Sequence, residues 1–143
     1  MLKSKELLRQ IRTETTELRC LQLKRDWLYS TLLPKGITYK SVDVQESGLS
    51  DQMAERFGEI YELEKVIENR AQALVRKHLQ AEILISKLTD AKYRCLLGLY
   101  YLSEKRTTWQ QVADEMGYSE REIYNIHGNA LQQLEIIIKI YTS

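Results

Sequence analysis

Proline occurs once in this chain of 143 residues and glycine only 6 times. Proline removes a backbone donor and glycine costs a helix conformational entropy, so their scarcity predicts long helices and argues against a turn-rich β fold. Cysteine is equally sparse. Cys20 and Cys95 fall inside helical patterns with no His or Cys cluster around them, which favours free thiols over a disulfide or a metal site. They read as two buried, reduced thiols in a reducing compartment. No apolar run approaches the roughly 18 residues that a membrane span needs. The opening MLKSKELLRQ turns charged too soon for a secretory signal, so the expected location is the cytoplasm, with no membrane partner. An excess of one charge is missing too. A formal net charge of +1 gives no global attraction to nucleic acid, and any such binding must come from local arrangement. The chain also has no phosphate loop, no nucleophile with a base at hand and no ligand pair at metal spacing, so no enzyme, metal or cofactor is expected.

What is present is helical pattern. From Thr107 to Ile138 the sequence reads as two helices joined by a tight turn. In the first, Trp109, Val112, Ala113 and Met116 recur at three or four residues, leaving Gln110, Gln111, Asp114 and Glu115 on other faces. Gly117 ends it. Ser119 then stands at an N-cap, with Glu122 as its capping-box partner. The second helix carries an inward stripe of Ile123, Ile126, Ala130, Leu134 and Ile137. This is a helix-turn-helix, whose second helix is the one that enters a major groove. A preceding helix, Ala91 to Leu102, capped by Thr89 or Asp90, shows a broad apolar face of Tyr93, Leu96, Leu97, Tyr100 and Tyr101, and is expected to complete a three-helix unit.

Upstream, two segments carry alternating steps of four and three. The first runs through Leu7, Ile11, Glu14, Leu18, Leu21, Arg25, Leu28 and Leu32. The second runs without a slip through Met53, Phe57, Ile60, Glu64, Ile67, Ala71, Leu74, His78, Ala81, Ile85 and Leu88. Such seams belong to coiled helices, and neither stripe can be hidden by a lone helix. The pair is expected to lie antiparallel across a loop at 34–49 opened by Pro34 and Gly36, in which Ile37, Val42 and Val44 form a short extended segment. Glu14 and Arg25 interrupt the first seam as snorkelling edge residues or as a pairing that fixes register. His78 reads as a core-edge histidine. Residues 3–33 hold seven cations against four anions, read here as a solvated helix face.

The expected fold is therefore all-α: residues 1–88 form a long helical hairpin that serves as a coiled, oligomerising arm, and residues 89–143 form the helix-turn-helix domain. Asp90 to Leu134 resembles the fourth region of sigma-70 factors, through TWQQVADEMG followed by SEREIYNIHGNAL. More closely, the whole chain resembles small phage and prophage sigma-region-4-like regulators of the ArpU and RinA late-gene activator type. That likeness rests on VQESGLSDQMA (44–54), YRCLLGLYYL (93–102) and residues 108–131. It implies binding to double-stranded promoter DNA and control of transcription of late or packaging genes; RNA polymerase is a further candidate partner, whose contact the sequence leaves open. This chain departs from sigma factors in having Arg121 alone on a recognition helix where several cations are usual. From Asp90 to Ser143 six cations face seven anions, so a single unit should hold phosphate weakly and self-association, at least to a dimer, is expected.

With Ile123 inward, Arg121, Asn125, Gly128 and Gln132 point outward, and Tyr124 and Asn129 flank them. Arg reads guanine and Asn reads adenine bidentately, which makes Arg121 and Asn125 the base-contact candidates. Lys105, Arg106 and Thr107, in the link before the first helix, are candidates for backbone phosphate. Ser119 completes the DNA-binding set. His127 lies near the inward centre and reads as a packing residue with a local hydrogen bond, and Gly128 as a close approach or a tolerated defect. The competing reading is a protein-interaction module or small terminase-like DNA-packaging subunit that uses the helical arm for assembly.

Overall fold

The computed structural model describes residues 2–32 and 51–142, and every regular element among them is an α-helix. The expected extended segment at Ile37, Val42 and Val44 lies outside the described residues, as does the whole connecting loop at 34–49. We number the helices α1 (Lys3–Leu32), α2 (Asp51–Ser86), α3 (Ala91–Tyr101), α4 (Trp109–Met116) and α5 (Glu120–Thr142). Among the described residues no helix is long and apolar enough to cross a membrane. The chain divides into two compact units, residues 17–72 and residues 1–16 together with 73–143, so the boundary cuts through both α1 and α2.

The unit of residues 17–72 is a pair of antiparallel helices. Glu17 meets Arg70 at 3.9 Å, whereas Tyr29, twelve positions further on, donates its hydroxyl to Glu64 at 3.0 Å and packs its ring 6.2 Å from Phe57. As α1 advances, its partner residues on α2 recede. Ile60 and Ile67 of the second seam are buried, together with Leu32 of the first. Arg25, one of the two seam interruptions, turns to its neighbour Asp26 at 3.1 Å. That exposed pair contributes little.

The unit of residues 1–16 and 73–143 holds the larger core. Leu8, Ile11, Leu96, Leu97 and Ile123 are fully buried, with Val112, Ala113, Ala130 and Leu134 within 2% of it. Each large aliphatic side chain so buried stabilises the fold by about 1.5 to 3 kcal/mol. Ala113 is small and buried where α4 packs on its neighbours. Glu14, the other seam interruption, is half-buried and bonded to Lys77 at 2.7 Å, so here a specific pair replaces a snorkelling edge residue. Two interactions tie the start of α1 to α5. Ser4 donates its backbone N–H to Glu135 at 2.8 Å and its hydroxyl to the Leu131 carbonyl at 2.9 Å. Glu135 thus caps the positive end of a helix far from it in sequence. The Ser4 N–H holds its carboxyl below the usual carboxylate range, against the opposing effect of burial.

The cysteines differ from expectation. Both are exposed free thiols, not buried ones. Cys20 falls on the far side of α1 from Leu18 and Leu21, and Cys95 is opposite the buried Leu96–Leu97 face of α3, so being inside a helical pattern did not place either inside the core.

Candidate nucleic-acid interface

The turn between α4 and α5 is built by local chemistry. Thr108 caps α4 with a complete capping box: its hydroxyl accepts from the Gln111 N–H at 3.1 Å, and the Gln111 side chain accepts from the Thr108 N–H at 2.8 Å. Gly117 closes α4 in the left-handed conformation at φ +77°, and the N–H groups of Gly117 and Tyr118 both reach the Ala113 carbonyl. Ser119 then starts α5 by accepting from the Glu122 N–H at 3.2 Å. The Glu122 carboxylate takes the Ser119 hydroxyl rather than its backbone N–H. The sequence placed a capping box at Ser119, but the complete one is at Thr108.

On α5, Ile123, Ala130, Leu131, Leu134 and Ile138 turn inward. Arg121, Asn125, Gly128 and Asn129 are all exposed on the opposite side, and Tyr124 is half exposed beside them. Among the described residues no side chain pairs with Arg121 or Asn125, so their donors are available. A Cβ added at Gly128 would meet nothing within 4 Å. Among the described residues no packing requires that glycine, and none of them blocks close approach to its backbone.

The link before α4 is more committed than its composition implied. Thr107 donates its hydroxyl to the Leu99 carbonyl at 2.9 Å, and Ser103 donates to the same carbonyl at 2.6 Å. The backbone carbonyl of Thr107 accepts from Arg12. Lys105 and Arg106 are exposed.

Arg12 organises a site that the sequence did not reveal. Its guanidinium donates to the Tyr100 carbonyl at 2.5 Å and the Thr107 carbonyl at 2.6 Å, while lying 3.8 Å from the centre of the Tyr100 ring. Trp109 stacks on that ring at 3.7 Å and 10°. Two partners so close to one ring centre must occupy opposite faces, so Tyr100 is held between a cation and an indole. Burial pulls the Arg12 pKa down, with the Tyr100 hydroxyl opposing and Arg106 adding to the fall. It remains a guanidinium at neutral pH.

Around this stack, Tyr101 and His127 share a hydrogen bond of 2.6 Å. Burial pushes His127 down to about 4, with Lys5 adding to the effect, and raises Tyr101 to about 12, with Tyr100 adding. The imidazole is neutral at physiological pH. His127 is therefore a packing residue, as expected, although its bond reaches α3 instead of closing locally. Its ring also meets Trp109 at 4.6 Å, and Trp109 in turn forms a T-shaped pair with Tyr124 at 5.6 Å.

The rings of Tyr100, Tyr101, Trp109 and His127 floor an open recess of about 320 Å³ whose other described lining residues are Lys5, Arg9, Arg12, Thr13 and Arg106. Among the described residues, four cations line it and no carboxylate does. The signal was present in the sequence: Lys5, Arg9 and Arg12 stand at steps of four and three, one row along α1 beside the apolar seam. Only the packing of α1 against Tyr100 shows that this row faces a cavity.

A family model described as "Protein of unknown function (DUF1492)" matches residues 38–135, more than half of the chain. The chain belongs to the DUF1492 family. No curated protein and no solved structure matches it. In this DUF1492 protein the matched span takes in all of α3 and α4 and α5 as far as Glu135, hence Arg106, Trp109 and the exposed face of α5, while Lys5, Arg9 and Arg12 precede it.

Proposed function

We propose that this protein is a sequence-specific, double-stranded DNA-binding regulator of transcription in a phage or prophage, acting in the bacterial cytoplasm on late or packaging genes. One observation carries the reading: across a turn fixed by Gly117, α5 presents Arg121, Asn125, Gly128 and Asn129 on its exposed face, opposite the buried Ile123, with the Arg121 and Asn125 donors unengaged among the described residues. A helix with that face free, braced by a second helix behind it, fits a B-DNA major groove, where Arg and Asn have complementary base edges. Gly128 lets backbone approach the groove wall. Lys105 and Arg106 then serve phosphate, whereas Thr107 and Ser119 act through the local bonds that hold the turn in place. Nothing in this reading requires catalysis.

A second copy of the chain is part of the proposal, with RNA polymerase as a further partner. Val75, Leu79 and Ile83 lie one helical turn apart and stand 55 to 59% exposed on α2, opposite the buried Leu74, Ala81 and Ile85. Such a row supports pairing between copies, and two copies bring two reading helices to one site. The test is a chromatin pull-down with the full chain in its host. Enrichment at promoter DNA of the resident prophage is expected; uniform recovery across the genome would remove the regulator reading and favour the assembly subunit.

A further inference from the structure

The reading helix is poor in cations, and the recess beside it is rich in them. We propose that the Lys5–Arg9 row of α1, together with Arg106, is a clamp for the phosphate backbone of duplex DNA, so that the first turns of the N-terminal helix form part of the DNA-binding surface. The inference rests on the DNA-binding reading above and deepens it.

Three observations carry it. The first is charge: Lys5, Arg9, Arg12 and Arg106 converge on one open recess with no carboxylate in its lining among the described residues. Four like charges brought together in this way repel each other, and an anion relieves that repulsion. The second is commitment. Arg12 is consumed by two carbonyls and the Tyr100 ring, whereas Arg9 has no bonded partner among the described residues and is exposed. Arg12 builds the wall, and Lys5 and Arg9 keep their charge for a ligand, as does Arg106, which makes a long, exposed bond of 3.5 Å to the neutral Thr16 hydroxyl. The third is position. Trp109 lines the recess and touches Tyr124, which flanks Arg121 and Asn125 on α5, so the recess adjoins the reading face through one side chain. A helix seated in a major groove is bordered on both sides by sugar–phosphate strands. The strand on the Tyr124 side runs over this recess.

The lining also selects among anions. Both faces of the Tyr100 ring are already covered, and the Tyr101 hydroxyl and His127 satisfy each other, so the aromatic floor leaves no open ring face on Tyr100 for a nucleobase. What remains is a set of cations at the rim of an open groove, suited to phosphates that pass across it rather than to an enclosed nucleotide.

The test measures affinity of the full-length protein for mixed-sequence duplex DNA over a range of salt. Each phosphate neutralised contributes about 0.9 to the slope of log affinity against log salt. Lys5→Gln combined with Arg9→Gln should therefore shrink the slope by about two, on all sequences alike, while Lys92→Gln, at the far end of α3 from Tyr100, should leave it unchanged. Circular dichroism of both variants checks that they remain folded. An unchanged slope in the double variant, with the parent still binding DNA, would overturn the clamp and leave the DNA-binding reading standing. Equal slope losses in the double variant and Lys92→Gln would overturn it as well, because only overall charge would then matter. A parent that binds no duplex would overturn both. Titration with inorganic pyrophosphate completes the test: tight binding abolished by the double variant, with no change in the DNA slope, would reassign the recess to a free phosphoryl compound and overturn the clamp.

Discussion

Replacing Arg12 by Lys separates its charge from its geometry. An ammonium keeps the cation but cannot fork between the Tyr100 and Thr107 carbonyls while stacking on the ring. The expected cost is about 1 to 3 kcal/mol, read as a lower urea midpoint at unchanged slope. His127 supplies a second test at this scale. Its folded pKa, near 4, lies below the ordinary 6.5, so on acidification the unfolded chain takes up the proton first. Stability is then fully present above the unfolded value and is lost as pH falls from 6.5 toward 4. In His127→Gln that part of the pH dependence should disappear, leaving a flatter profile over the same window. An equal slope in parent and variant would mean that the imidazole is not held neutral by burial.

Among the elements, the turn between α4 and α5 depends on one backbone conformation. Gly117 sits at φ +77°, a region that costs an ordinary residue about 1 to 2 kcal/mol, although a Cβ there would touch none of the described residues. Gly117→Ala should lower the melting temperature through strain alone, and an unchanged melting temperature would contradict that reading. This turn was legible in the sequence because a helix stop and a helix start each have local chemistry. The seams were legible for the same reason: every position from Met53 to Leu88 at the four-three spacing is buried or half-buried. The contacts that build the recess were not. Ser4 bonding to Glu135 and Arg12 bonding to Thr107 join residues 131 and 95 positions apart, and helical periodicity carries no information about which distant partner a given face meets. The exposed Cys20 and Cys95 teach the same limit, since a helical pattern fixes spacing and leaves the depth of each face to the packing.

For the whole molecule, the exposed Val75, Leu79 and Ile83 row predicts self-association at least to a dimer at micromolar concentration. Sedimentation equilibrium checks it, with Leu79→Glu expected to shift the population toward monomer; a parent that sediments only as monomer would remove the second copy from the account. The central claim, that α5 reads base sequence, is tested most directly by selecting duplexes from a random pool with the full-length protein and repeating the selection with Arg121→Ala. The parent should enrich one recurring motif, and the variant should lose preference at one base pair of it, at a cost of about 1 to 3 kcal/mol on the selected site. A pool that shows no motif after selection by the parent, or the same motif bound equally well by Arg121→Ala and Asn125→Ala, would contradict the claim.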